Sequence, residues 1–485
     1  MGRARLSGPG GPDGRPAPGG QPLAESAARL GLNTVQALVS AGLAILLFAG
    51  FVLTPNAATA ALVVFVQLVF LLTGGWRLLL LVASARRAPE PPRPIAWPRY
   101  TILAALHDEA AVVPQLIANL SAIDYPKERL QGFLVLEAHD HATIAAVRAA
   151  ARPQWLMMMI VPPGLPRTKP RALNHALPHV RGDLLTVYDA EDDPHPLQLR
   201  EAAARFAADP GLACVQAPLR IRRRHRRPED SPFLDRQFAV EYASLFEVTL
   251  PGMARLGLPF PLGGTSNHLR VSALRAVGGW DAYNVTEDAD LGFRLWRHGF
   301  RLGVIGRPTY ETPPGDLGAW LPQRTRWLKG FMQTWGVHTR TPSELGWRGL
   351  LALTTTVGMG IIAAAVHAHS VAWLMAALLI ALVAGTTPAT PLLAICVMGW
   401  GAASAWVCCA VGAGRAGLRY EVRDMVVAPA YWSLLSLAFG HALWRLITEP
   451  HAWDKTPHRP DAPEQALAEA MVERPAPRRG GRKAA

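Results

Sequence analysis

The sequence predicts an α/β domain inserted between groups of membrane-spanning helices. Apolar residues make up 50% of the 485-residue chain and charged residues only 18%, a balance too greasy for an ordinary soluble enzyme. The apolar residues concentrate at 35–53, at 57–82 and, almost without interruption, at 350–446. About twenty such residues span a bilayer as a helix, so each run is long enough to cross. Between them, residues 99–340 alternate short apolar runs with segments of helical period, the pattern of parallel strands joined by crossover helices.

Residues 1–34 carry Arg3, Arg5, Arg15 and Arg29 among many Gly and Pro, with too little apolar content to fold, and read as a disordered basic tail. The first apolar run lacks the short core and small-residue cleavage site of a signal peptide, and a second follows at once. Residues 35–85 therefore read as a hairpin of two spanning helices. Arginines in the tail, with Arg86, Arg87 and Arg93 after the hairpin, put both ends in the cytoplasm and residues 99–340 with them.

Within that domain, buried strands are expected at 101–106, 133–136, 156–161 and 184–188, and helices at 112–121 and 143–151. Ligands of such sheets sit beyond the carboxyl ends of the strands. That rule selects His107-Asp108-Glu109, the stretch from Glu137 to Asp140, and the stretch from Asp189 to Asp193. Two amphipathic stretches follow, 232–261 and 317–338; the second stands directly before the membrane block and reads as interfacial. Residues 348–447 divide into about four helices, near 350–366, 371–384, 392–411 and 425–446. Four crossings put Arg415, Arg419 and Arg423 outside and the basic tail at 458–485 inside, so the positive-inside rule fails at one place; the larger charge of the tail takes precedence.

The formal net charge of +13 suits cytoplasmic arginines that fix topology and meet anionic lipid. The run Arg222-Arg223-Arg224-His225-Arg226-Arg227 has no interleaved aromatics and no nucleic-acid motif, and reads as a solvated or headgroup-facing loop with no nucleic-acid partner. Cys214, Cys396, Cys408 and Cys409 show no metal spacing and read as packing residues.

Three stretches have chemistry in view, each with a plain structural alternative. In Asp189-Ala190-Glu191-Asp192-Asp193 the acids repel one another unless a cation or solvent intervenes, and hard oxygen ligands suit Mg²⁺ or Mn²⁺; a solvated acidic turn is the alternative. Thr286-Glu287-Asp288 opens a helix with Thr286 as its N-cap, and acids in a first turn favour the helix dipole without any catalysis. Asn284-Val285-Thr286 also satisfies the N-glycosylation pattern. Gln323-Arg324-Thr325-Arg326-Trp327 offers a guanidinium fork for phosphate and a flat ring for a sugar, or simply snorkelling arginines beside a belt tryptophan.

The conjunction of the three is more specific than any member. A strand-end acidic cluster, then Thr-Glu-Asp, then Gln-x-x-Arg-Trp before a membrane block resembles the processive, cellulose-synthase-like membrane branch of the family 2 glycosyltransferases. The motif 450–458, Pro-His-Ala-Trp-Asp-Lys-Thr-Pro-His, is similar to the short motif that follows the last helix in bacterial members. The resemblance implies a GT-A fold over about 101–335, a nucleotide-sugar donor, usually UDP-linked, an Mg²⁺ or Mn²⁺ cofactor, and a polysaccharide or lipid-linked acceptor at the inner face of the bilayer. It assigns Glu109, Glu137, Asp140, Lys169, Asn174, Asp189 and Arg326 to the donor. Metal falls to Asp189 and Glu191, with Asp192 as an alternative ligand, and the catalytic base to Asp288. The acceptor takes Gly264, Thr265 and Ser266, with Glu287, Gln323 and Trp327. On that resemblance Asp288 deprotonates an acceptor hydroxyl, which displaces the nucleotide with inversion. Two other expectations stand beside it: one-step transfer to a polyprenyl phosphate or other lipid, and a non-catalytic membrane scaffold.

Overall fold

The computed structural model describes residues 28–85, 92–222, 232–385 and 389–452. The tail through residue 27, Arg86 and Arg87, the arginines at 223–227, residues 453–458 of the C-terminal motif and the tail beyond it lie outside the described residues.

Two long apolar helices come first, α1 (Thr34–Leu53) and α2 (Pro55–Ser84). The α/β domain then runs β1 (Tyr100–Leu106), α3 (Val113–Ser121), β2 (Leu130–Glu137), α4 (His141–Ala149), β3 (Leu156–Val161), α5 (Lys169–Ala176) and β4 (Leu184–Tyr188). It continues with β5 (Asp193–Pro194), α6 (Gln198–Ala208), β6 (Leu212–Gln216), β7 (Leu219–Ile221), α7 (Phe233–Ser244) and α8 (Leu250–Arg255). Next come β8 (Asn267–Arg270), α9 (Val271–Ala276), α10 (Glu287–Arg297), β9 (Arg301–Val304), β10 (Thr309–Glu311) and α11 (Leu317–His338). The chain ends in α12 (Pro342–Leu353), α13 (Met359–Ala384), α14 (Ala389–Ala416) and α15 (Val422–Thr448).

Seven strands form one sheet in the order β3-β2-β1-β4-β8-β6-β9. The four expected strands are its parallel half, β1 pairing with β2 and β4, and β2 with β3. Strand β1 is buried at nearly every position, as a strand covered by helices on both faces must be. The other half was not legible in the sequence. Strand β8 is antiparallel to both neighbours and reads Asn-His-Leu-Arg, with no apolar run to announce it. A small second sheet, β5-β10-β7, stands beside the end of β4.

The C-terminal apolar region differs from the expected four helices. Residues 347–384 form one continuous helix, with a π-helical turn at Thr354–Gly358, and nothing breaks it between 366 and 371. His367-Ala368-His369-Ser370 contains neither Gly nor Pro, so polar residues alone do not interrupt the backbone ladder. The described helices long and apolar enough to cross a membrane are Thr34–Leu53, Pro55–Ser84, Pro342–Ala384, Leu392–Ala416 and Val422–Thr448.

Helix α15 is tied to the α/β domain at both ends. At its start Asp424 takes Arg236 Nε at 2.8 Å and its carbonyl accepts from Gln237. Just past its end, Lys329 Nζ donates to Ala452 O at 2.7 Å, and His451 Nδ1 lies 2.9 Å from Tyr283 O. Between these anchors it runs along α11, with Tyr431 against Trp320 and Arg324, and His441 against Thr325. Helix α15 is thus fastened to the domain at both ends and packs against α11 and against α13 between them. Arg324 is the central fastener: its guanidinium forks onto both carboxylate oxygens of Glu241 in α7 and stacks 4.4 Å from the Trp327 ring.

Candidate active site

The end of one strand, the start of another and the starts of two helices meet at one place. Lys169 opens α5, Asp189 follows β4, and the loop 263–266 leads into β8. Lys169 Nζ bonds Asp189 Oδ1 and, at 2.8 Å, the carbonyl of Gly264. Glu287 and Asp288 begin α10 from the other side. A Cβ added to Gly264 would sit 3.4 Å from Asp288 Oδ2 and 3.9 Å from Asp189 Oδ2, so the open face of this glycine looks between the two carboxylates. Lys169, Asp189, Gly264, Glu287 and Asp288 are therefore one group. Arg326 of α11 completes it, acting electrostatically on both Glu287 and Asp288.

The electrostatics follow from burial among like charges. Burial opposes the charge on Lys169, but Asp189, Glu287 and Asp288 outweigh it and raise its pKa above the usual range. Burial first and Asp288 second push Glu287 up to about 8, against the pull of Lys169. Burial likewise raises Asp288, with the N–H of Ala289, Lys169 and Arg326 restraining the shift.

The acidic turn divides into two roles. Asp192 is fully buried; its Oδ2 accepts from Asp189 N at 2.7 Å and from the Thr265 hydroxyl, so it clamps the turn to the 263–266 loop. Burial, then Asp189 and Glu191, hold its pKa well above the carboxylate range. Asp189, whose side chain is 30% exposed, turns to Lys169 in the site, Asp193 pairs with Arg222, and Glu191 is half-buried between them. Glu311, at the end of β10, feels Asp192, Glu191 and Asp189 together and is itself raised, burial being the largest cause. Sequence reading missed it because Thr309-Tyr310-Glu311 is too short to read as a strand. So many carboxylates with Lys169 as their near cation suit a hard divalent ion, and the oxygen donors of Asp189 and Glu191 fit one.

A second group lies beyond β1 and β2. Asp140 caps α4, accepting from Thr143 N at 3.1 Å, and also takes Asp108 N at 2.6 Å. Burial alone would raise its pKa, yet these bonds and nearby His107 keep it below the usual value. His107, Asp108 and Asp140 bring their ligand atoms within 4.8 Å of one another. Glu109 is buried beside them, its N–H on Thr143 Oγ1 at 2.9 Å. Glu137 pairs with Arg171 at 3.5 Å, a contact between β2 and α5 that neither residue's local sequence announces.

Several expected contacts are used differently. Both ends of the Asn174 amide are spent on the main chain of Trp280, at 2.6 and 2.9 Å, which makes Asn174 a latch between α5 and the loop before α10. Thr265 and Ser266 are buried, their hydroxyls turned inward to Val187, Asp192 and Thr309, so only Gly264 of that loop faces the site. Thr286 occupies the N-cap position of α10 without a side-chain cap bond; its hydroxyl turns to Asn284 where Gly330 of α11 crosses in contact. Asn284 is fully buried, its amide bonded to Thr334 and Thr286, so the glycosylation pattern is closed to any modifying enzyme. Trp327 packs beside Tyr242 at 6.0 Å, and Gln323 Oε1 is buried without a hydrogen-bond partner among the described residues.

The chain resembles known glycosyltransferases. Residues 184–408 match the family described as "Glycosyl transferase family group 2". The beta-monoglucosyldiacylglycerol synthase of Synechocystis sp. is 27% identical over 267 residues, 53% of this chain and 53% of that protein. Cellulose synthase 1 of Komagataeibacter xylinus is 27% identical over 282 residues, 56% of this chain and 17% of that protein. The matched stretch thus spans about half of the first relative's length and less of the second. Among solved structures, a mannosyltransferase from Pyrobaculum calidifontis, in complex with GDP-Man and Mn²⁺, superposes with a TM-score of 0.52 at 18% identity, covering 80% of this chain and 98% of that one. At that identity the likeness speaks for the GT-A fold.

Proposed function

Because the chain is a family 2 glycosyltransferase, we propose that it moves a sugar, with inversion, from a UDP-linked donor to an acceptor hydroxyl at the bilayer, extending a β-linked polysaccharide. The observation that carries this reading is the facing of Asp189 and Asp288 across the open side of Gly264. Asp288 is the general base: its carboxylate accepts the proton of the attacking hydroxyl. Lys169 and Arg326 stabilise the negative charge that builds on the departing diphosphate. Asp189 and Glu191 would hold Mg²⁺ or Mn²⁺, which supplies further charge neutralisation there. Asp140, Glu137 and Glu109, beyond β1 and β2, take the nucleoside end, and Gln323 and Trp327 the acceptor end, with Glu287 beside the base.

For the membrane we propose four crossings, α1, α2, the helix 342–384 and α14, with α15 lying in the interface. The support is that α15 is anchored to the domain at both ends. This returns Arg415, Arg419, Arg423 and the C-terminal tail to the domain's side, and the positive-inside rule holds throughout. That side is the cytoplasm. Transfer to a lipid hydroxyl is the second reading, favoured by the match to a diacylglycerol-linked relative over half of each chain. Membranes carrying the protein, given labelled nucleotide sugars with Mn²⁺, decide between them. A ladder of β-linked sugars supports the polysaccharide, a single glycolipid supports the second reading, and nucleotide release without any product contradicts both.

A further inference from the structure

The segment that leads into Asp288 is gripped from all sides. Asn174 holds Trp280, the N–H of Ala28 donates to Asp281 at 2.6 Å, and Thr168 Oγ1 donates to Ala282 O at 2.8 Å. Thr334 holds Asn284, and Gln333 Oε1 accepts from Val285 N at 3.0 Å. The remaining residue, Tyr283, is held from the C-terminal end of the described chain. His451 Nδ1 donates to its carbonyl at 2.9 Å, since a carbonyl can only accept, and the two rings meet edge-on at 5.2 Å. The turn that carries His451 is itself fastened to α11. Gln333 Nε2 donates to Pro450 O at 2.8 Å, and Lys329 donates to Glu449 O and Ala452 O. One amide, that of Gln333, therefore bridges the loop before Asp288 and the turn after α15.

Asp288 needs such support. Its carboxylate accepts from the N–H of Ala289 within its own turn, and among the described residues it takes no hydrogen bond from another element. Where it points depends on where 280–286 enters α10. We propose that Gln333 and His451 are positioning residues for the carboxylate of Asp288, a clasp through which the turn after α15 sets the aim of the proton acceptor. This rests on the reading of Asp288 as the base. A displacement of about 1 Å at a reacting group can cost on the order of a hundredfold in rate, while substrate binding elsewhere is untouched.

The test uses the full-length protein in nanodiscs with Mn²⁺. UDP release is followed from whichever of UDP-glucose and UDP-N-acetylglucosamine the wild type turns over faster. His451→Ala and Gln333→Leu are expected to lower kcat about tenfold or more, with the donor KM within about twofold of wild type. His451→Asn, whose amide N–H can still reach Tyr283 O, is expected to recover most of the rate, which a general loss of packing would not allow. Asp288→Asn is measured beside them. Wild-type kcat in both His451→Ala and Gln333→Leu next to an inactive Asp288→Asn overturns the clasp alone. So does a parallel loss of kcat, donor affinity and melting temperature that His451→Asn fails to rescue. Full activity in Asp288→Asn overturns the base assignment and the clasp together.

Discussion

Asp189 and Asp288 face each other across Gly264, each with one carboxylate oxygen within ordinary contact of where a side chain on residue 264 would begin. The two acids come from separate elements, one after β4 and one at the start of α10, and a glycine keeps the space between them open. Gly264→Ala should therefore fold normally, because contacts of 3.4 and 3.9 Å need no backbone shift. It should still lose activity by about tenfold to a hundredfold as the methyl enters the reaction space. Thermal melting and initial rates on the same preparation check it, and full activity would mean that the reaction lies elsewhere.

Lys169 answers for both charge balance and chemistry. In Lys169→Met the acids around it lose their nearest cation, so the metal-free variant should melt below wild type, with part of the loss recovered in Mn²⁺. Turnover should fall by about 10²–10³ if the ammonium stabilises the leaving diphosphate. A variant that melts lower yet turns over normally would leave Lys169 a structural cation.

Glu287 carries a pH signature. Unfolded, its carboxyl ionises near 4.5, and in the fold near 8, with burial the chief cause. Between those values the folded chain keeps a proton that the unfolded chain has released, so stability falls as pH rises through the window. Glu287→Gln removes this ionisation. In metal-free buffer the variant's melting temperature should gain on wild type by a few degrees between about pH 5 and pH 8. Parallel melting curves across that range would contradict the buried, protonated carboxyl.

Asn284 is a buried hinge post. Asn284→Gln lengthens an amide that bonds Thr334 and the backbone of Thr286, leaving buried polar groups unpaired at a cost of about 1–3 kcal/mol. The variant should melt several degrees lower, and the wild type expressed in a glycosylating host should show no mobility shift on deglycosylation. A glycan on Asn284 would contradict the fold at this loop.

How much of this was readable beforehand depended on whether a residue's job was local. Strands β1, β2 and β4 announced themselves because a strand buried on both faces must be continuously apolar; β3, at the sheet edge with Met157 and Ile160 exposed, is an apolar run as well, and the acids that follow β1, β2 and β4 sit where such sheets bind ligands. Strand β8 was hidden because it is four residues long and polar at both ends. Thr286 looked like a cap on local grounds, yet Gly330, far along the chain, decides where its side chain goes. Asp192 and Asp189 are indistinguishable as letters; burial against Thr265 makes one a clamp and leaves the other to face the site. Helix α15 is long and apolar enough to cross, and the contacts that tie it to the domain at both ends could not be read from its own residues.

If Asp288 removes the acceptor's proton in an inverting transfer, Asp288→Asn in nanodiscs with UDP-sugar and Mn²⁺ keeps donor-induced thermal stabilisation while product formation falls by at least about 10³. Product at the wild-type rate would contradict it.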